Sequence, residues 1–186
     1  LSIAMGQVGL QNSSPSLLSL PTTFGLDLKL AGTMVTLMLF GVPAGILIGG
    51  ALVDRTTRPD LIATAGYAVA AVMMLLLWRL PLGPIAIAGC YIVTGVVYGI
   101  AFPSRDLLVR RSTPKGASGK VFGFVYSGMD FGSLATPVIF GWLIDTGQPR
   151  LAFLCVAGLW VIGIFLLRAT TKSAARHSAL AAAVQP

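Results

Sequence analysis

Residues 28–53 read LKLAGTMVTLMLFGVPAGILIGGALV, and the chain then turns through Asp54, Arg55, Thr56, Thr57, Arg58 and Pro59. The only charge in that run is Lys29, at its edge. A helix that crosses a hydrocarbon core of about 30 Å needs about 20 mostly apolar residues. The stretch therefore predicts a membrane-spanning helix. Lipid offers no partner for a backbone N–H or C=O, so a run this apolar must satisfy its own hydrogen bonds. A β-barrel strand would alternate apolar and polar residues, and this run does not.

The rest of the chain follows the same pattern. Of 186 residues, 55% are hydrophobic and 10% are charged, and the mean hydropathy is +0.86. Soluble domains carry about 25% charged residues, so a soluble enzyme, a nucleic-acid module and a disordered chain are all excluded. Further apolar runs cover 61–77, 84–103, 121–143 and 151–167. A weaker run covers 1–20, diluted by Gln7, Gln11, Asn12, Ser13 and Ser14. The expected fold is an all-α membrane protein, a six-transmembrane-helix bundle over residues 1–168. A loose tail rich in Ala and Ser is expected over 169–186. Asp27 stands at an N-cap position, Pro59 and Asp60 open the third span, and Pro149 opens the sixth. Pro43 and Pro137 fall inside spans and predict kinks, because each removes a backbone hydrogen bond.

Charge placement orients the bundle. The loops after spans two and four and the C-terminal region hold Arg55, Arg58, Arg105, Arg110, Arg111, Lys115, Lys120, Arg168, Lys172 and Arg176. The other side holds Lys29, Arg79 and Arg150. Ten of the 13 basic residues thus share one side, which the positive-inside rule makes the cytoplasm. An inner-membrane protein with a cytoplasmic C-terminus follows. The net charge of +7 needs no nucleic-acid partner to explain it.

Glycines recur at four-residue spacing: Gly41, Gly45 and Gly49 in span two, Gly95 and Gly99 in span four, Gly128 and Gly132 in span five. This spacing lets helix backbones approach closely, and packing within one bundle is favoured over a dimerisation motif. Asp130 lies about nine residues into span five, near mid-bilayer. A carboxyl there faces protein or a watery cavity. It shares a face with Tyr126, Ser133 and Pro137, while Gly128, Gly132 and Ala135 form the opposite face. Two readings stay open: a proton, cation or solute contact, and a structural carboxyl bonded to a neighbouring helix. Gln7, Gln11 and Ser14 form a polar stripe on span one with Asn12 beside it, which suits a polar solute or helix–helix bonding. Tyr91, Thr94 and Tyr98 form a stripe on span four, more often core than binding wall. Arg105 and Asp106 at the end of span four read first as interfacial charge, and otherwise as a gate-side ion pair or a site for an anionic group. Cys90 and Cys155 sit in separate apolar runs, and the one His, His177, lies in the tail, so no disulfide, metal or cofactor is expected.

The segment Gly50-Ala51-Leu52-Val53-Asp54-Arg55-Thr56-Thr57-Arg58-Pro59 resembles the signature loop of the major facilitator superfamily, G-x-L-a-D-r-x-G-r-k. Gly50, Leu52, Asp54, Arg55 and Arg58 fit the pattern, while Thr57 replaces its glycine and Pro59 its last basic residue. The stretches from Pro103 to Arg110, Gly123 to Asp130 and Gly141 to Asp145 resemble the last third of many bacterial members. The resemblance implies a secondary transporter of twelve spans, in which two six-span halves alternate access to a mid-membrane site. The degenerate loop implies that this chain is the C-terminal half, with the N-terminal six-span half missing. It implies a cavity facing spans one, four and five, lined by Gln7, Gln11, Asn12, Tyr91, Tyr98, Tyr126 and Asp130. Gly50, Asp54, Arg55, Arg58, Arg105 and Asp106 would be the conformational gate. Asp54 is expected to lack its natural partner in this chain. The solute would be a small organic molecule coupled to protons, with the bilayer as surroundings.

Other classes are weighed against this. A self-contained six-span protein that dimerises into a channel or transporter stays open as an alternative. An aquaporin is disfavoured, since no Asn-Pro-Ala box occurs. An enzyme is not expected: no base–nucleophile pair lies within the spans, and HExxH is absent. Gly116-Ala117-Ser118-Gly119-Lys120 imitates a phosphate loop but has two residues between its glycines instead of four, and Val121 replaces the metal-binding hydroxyl.

Overall fold

The computed structural model describes residues 2–111, 113 and 116–183, and of residues 118 and 170–183 the backbone only. The first residue of the 1–20 run, Lys115 and the last three residues of the expected tail lie outside the described residues. The chain folds into α1 (Ser2–Ser19), α2 (Leu28–Arg55), α3 (Pro59–Arg79), α4 (Pro84–Arg111), α5 (Ser118–Asp145) and α6 (Leu151–Ala183). Four of them are long and apolar enough to cross a membrane: α2, α3, α4 and the Leu151–Ala169 part of α6. The weakness of α1 matches its polar stripe. α5, expected to be among the stronger spans, does not join the four. Lys120, Ser127, Asp130, Ser133 and Thr136 dilute it.

Two ends move, and one expected cap makes no bond. α4 continues through Pro103 to Arg111, so Arg105 and Asp106 lie inside a helix, not at its end. α6 continues unbroken to Ala183 where a loose tail was expected, because alanine is the best helix former. Asp27 precedes α2, but its side chain makes no capping bond. Pro59 does sit in the first turn of α3, with Asp60 beside it.

α4 is the hub, packed along α2 on one side and α3 on the other. α3 then packs on α6, α6 on α1, and α1 on α2, which closes a ring. α5 stands outside that ring, held chiefly by α1 and touching α4 and α6 sparsely. The core is aromatic. Tyr98 meets Tyr67 edge-on at 5.7 Å and lies 6.2 Å from Trp160. The Trp160 indole N–H donates to the Ile3 carbonyl at 3.2 Å.

The glycines close the α2–α4 seam. A methyl group on Gly45 would lie 2.9 Å from the Gly99 Cα, and one on Gly41 would lie 3.2 Å from the Ile92 carbonyl oxygen. Gly49 and Gly95 meet backbone of the other helix in the same way. On α5 the small face packs on α1, where a methyl on Gly132 would come within 2.8 Å of the Met5 Cα. The repeats thus serve intramolecular packing. At the end of the bundle away from the arginine cluster, Arg150 donates from Nη2 to the Thr23 carbonyl at 2.6 Å and covers the Phe24 ring at 5.1 Å. The one arginine near that end of α6 is therefore a strut between α6 and the α1–α2 turn.

Candidate functional site

Two polar regions stand out from the apolar bundle. The first is the outer face of α5. Asp130 is exposed there, in a shallow depression shared with Phe124, Ser127, Phe131 and Leu134. Its neighbours' hydroxyls are already used: Ser127 donates to the Phe124 carbonyl at 2.8 Å and Ser133 to the Met129 carbonyl at 3.0 Å. Asp130 itself has no hydrogen bond or ion pair among the described residues. A carboxylate at this depth is costly against lipid, so this face of α5 meets water or protein. The helix is split as its sequence suggests, with Gly128 and Gly132 buried and Asp130, Ser133 and Pro137 exposed.

The second region is the basic end, where the C-terminal turns of α4 meet the first turns of α5. Arg105 is 5% exposed. It donates from Nε and Nη2 to Oδ1 of Asp106, at 3.1 and 2.8 Å. The Tyr126 hydroxyl donates to the other oxygen, Oδ2, at 3.0 Å. The Arg105 guanidinium lies 4.4 Å from the Phe102 ring centre and 6.0 Å from that of Tyr126. The buried Tyr67 and Tyr98 rings meet edge-on nearby, and their hydroxyls have no hydrogen-bond partner among the described residues. Arg110 stands 5.8 Å over Phe122, which stacks on Tyr126 at 6.1 Å.

The seven residues expected to line one cavity do not gather in one chamber. Asn12 and Asp130 lie on the surface, and Gln11 is half-buried. Gln7 is 2% exposed, and neither of its amide atoms has a partner among the described residues. Tyr91 and Tyr98 are buried among the helices of this chain. Tyr91 donates to Ser14 Oγ at 2.7 Å, and Ser14 donates to the Leu10 carbonyl. Their stripe faces inward because α4 is surrounded by other helices. Tyr126 belongs to the Arg105–Asp106 group. Of the expected gate residues, Arg105 and Asp106 form this ion pair. Asp54, Arg55 and Arg58 are exposed and make no ion pair among the described residues. Gly50 has open space where a side chain would stand. Sequence reasoning missed Arg110, Phe122 and Tyr67. The four-residue spacing of Phe122 and Tyr126 was the available signal for two aromatic rings on one face.

A sequence model of the Major Facilitator Superfamily matches residues 1–185 of the chain. No curated protein matches the chain.

Proposed function

The chain belongs to the major facilitator superfamily, and on that premise we propose that it is the C-terminal half of a proton-coupled secondary transporter for a small organic solute. Membership makes it a multi-pass membrane transporter of small molecules, and not an enzyme. The finer reading rests on one observation, the exposed carboxylate of Asp130 in the middle of α5. A lone acid on a helix of this kind needs a wet or protein-covered face. In an alternating-access transporter that face borders the mid-membrane site between the two halves. Asp130 would then exchange a proton or contact the solute, with Gln11 and Asn12 of α1 as further polar groups toward the same cavity.

The degenerate loop after α2, with Thr57 and Pro59 in place of glycine and a basic residue, supports assignment to the second half. All six helices would span the inner membrane, α1 and α5 with their polar faces covered. The arginines and lysines at the ends of α2 and α4 and in the second half of α6 support a cytoplasmic position for that side of the bundle. Asp54, with Arg55 and Arg58, would meet the N-terminal half across the cytoplasmic face. There a carboxylate pairs with a helix N-terminus or an arginine in one conformation only.

The test uses the full-length protein in proteoliposomes with an imposed pH gradient and a panel of organic cations, zwitterions, anions and sugars. At least one solute should dissipate the gradient in the wild type. Asp130→Asn should lower that flux about a hundredfold or more, the scale for loss of a group that acts in proton transfer, with expression and folding unchanged. Equal flux with the same pH dependence would overturn the role of Asp130.

A further inference from the structure

We propose that the α4–α5 contact at the basic end is a hinged clasp, one that frees the first turns of α5 from α4 while Gly132 keeps the middle of α5 on α1. The inference stands on the basic end alone and does not depend on the role of Asp130. Three features lie in succession along α4. Gly99 is fixed in the seam, where a methyl would lie 2.9 Å from the Gly45 Cα. Pro103 follows one turn later. It has no N–H to give the Gly99 carbonyl, so the helix is one hydrogen bond short at that level. Arg105, Asp106 and Arg110 come next, and these side chains hold α5.

The grip is local. Asp106 accepts from Tyr126 at 3.0 Å, Arg110 covers Phe122 at 5.8 Å, and Arg105 approaches the Tyr126 ring at 6.0 Å. Beyond it α4 and α5 touch sparsely. Arg105 forms the fixed jaw, 5% exposed and lying against the Phe102 ring at 4.4 Å. Tyr126 and Phe122 form the moving jaw, both half-buried. There is room for the movement. A crevice of about 200 Å³ lies behind the clasp, lined by Ile3, Arg105, Val109, Val125 and Leu166 among others. An outward tilt of the first turns of α5, with a bend of α4 at Pro103, opens that crevice to the basic side. The first turns of α5 then move, while its middle stays packed on α1 of the ring.

The experiment measures distances by double electron–electron resonance in the full-length protein, with Cys90 and Cys155 replaced by alanine. Spin labels go on Gly123→Cys, exposed and clear of neighbours, and Leu166→Cys, exposed on α6. Tyr126→Phe removes one hydroxyl and should raise the long-distance population about five- to tenfold, the equilibrium equivalent of one hydrogen bond. Asp106→Asn should shift it in the same direction. Pro103→Ala restores the missing backbone bond and should shift it the other way. A purely structural role would broaden the distribution in all three variants alike. The proposal stands if Tyr126→Phe and Asp106→Asn lengthen the distance and Pro103→Ala shortens it, and any other pattern overturns it.

Discussion

Toward α2, helix α4 presents Gly95 and Gly99, and the two backbones touch along the seam; toward α5 it presents Arg105, Asp106 and Arg110, and only side chains meet. Both contacts solve the same problem. Lipid is as apolar as leucine, so burying leucine does not drive helices together in a membrane. The seam solves it with dispersion over many close backbone atoms. The clasp solves it with one charged hydrogen bond and ring–cation contacts at a single level. A seam of glycines tolerates no added volume and no relative movement. A clasp of long side chains tolerates both, because its bonds form and break without repacking a helix. One helix is thus fixed on one side and releasable on the other.

The comparison is most easily broken at the seam. Gly45→Leu places a side chain where even a methyl lies 2.9 Å from opposing backbone, and the folded yield in detergent should collapse on size-exclusion chromatography. Gly45→Ala should already cost about 1–3 kcal/mol, the usual penalty for overpacking, read as a lower thermal midpoint. Gly50→Ala, one residue beyond Gly49 but facing open space, should leave both readings unchanged. A full yield from Gly45→Leu would mean the seam does not hold α2 to α4.

The strut at the opposite end comes next. Arg150→Met removes the donor to the Thr23 carbonyl and should cost about 1 kcal/mol, the net worth of one such bond. Faster hydrogen exchange should be confined to the α1–α2 turn. Exchange that rises over the whole chain would show Arg150 to be part of the global core. Tyr126→Phe should have a smaller effect on the thermal midpoint, since its ring still stacks on Phe122. A drop as large as that of Gly45→Ala would erase the contrast between clasp and seam. Asp54→Asn is expected to be the smallest: exposed and without an ion pair among the described residues, it should not change the stability of this chain. A measurable loss would show that Asp54 has a partner within this chain.

Most of the fold was legible. The apolar runs, the proline at the start of α3 and the glycine spacing each reflect a local rule, so they can be read one segment at a time. The split of α5 into a small face and a polar face was legible for the same reason, and Asp130 lies on the expected side. The candidate site was legible only in part. Tyr91 and Tyr98 form a stripe that fits a cavity wall and a core equally well. Which it is depends on what surrounds α4, and helical periodicity carries no record of neighbours. Tyr126 was read with Asp130, one turn away on its own helix. Its partner turned out to be Asp106, twenty residues back in the chain and on another helix.

The sequence by itself determined that the chain is a helical membrane protein, where its helices begin, and which superfamily its loop resembles. These follow from hydrocarbon length, backbone satisfaction and charge placement, all of which act along the chain. Only the tertiary structure decided that α4 is the hub, that α5 stands outside the ring, and that Arg105, Asp106, Arg110, Phe122 and Tyr126 converge. The reason is physical. In lipid the choice of neighbour is made by close fit and by a few polar contacts, and both depend on the three-dimensional surfaces that two helices present to each other.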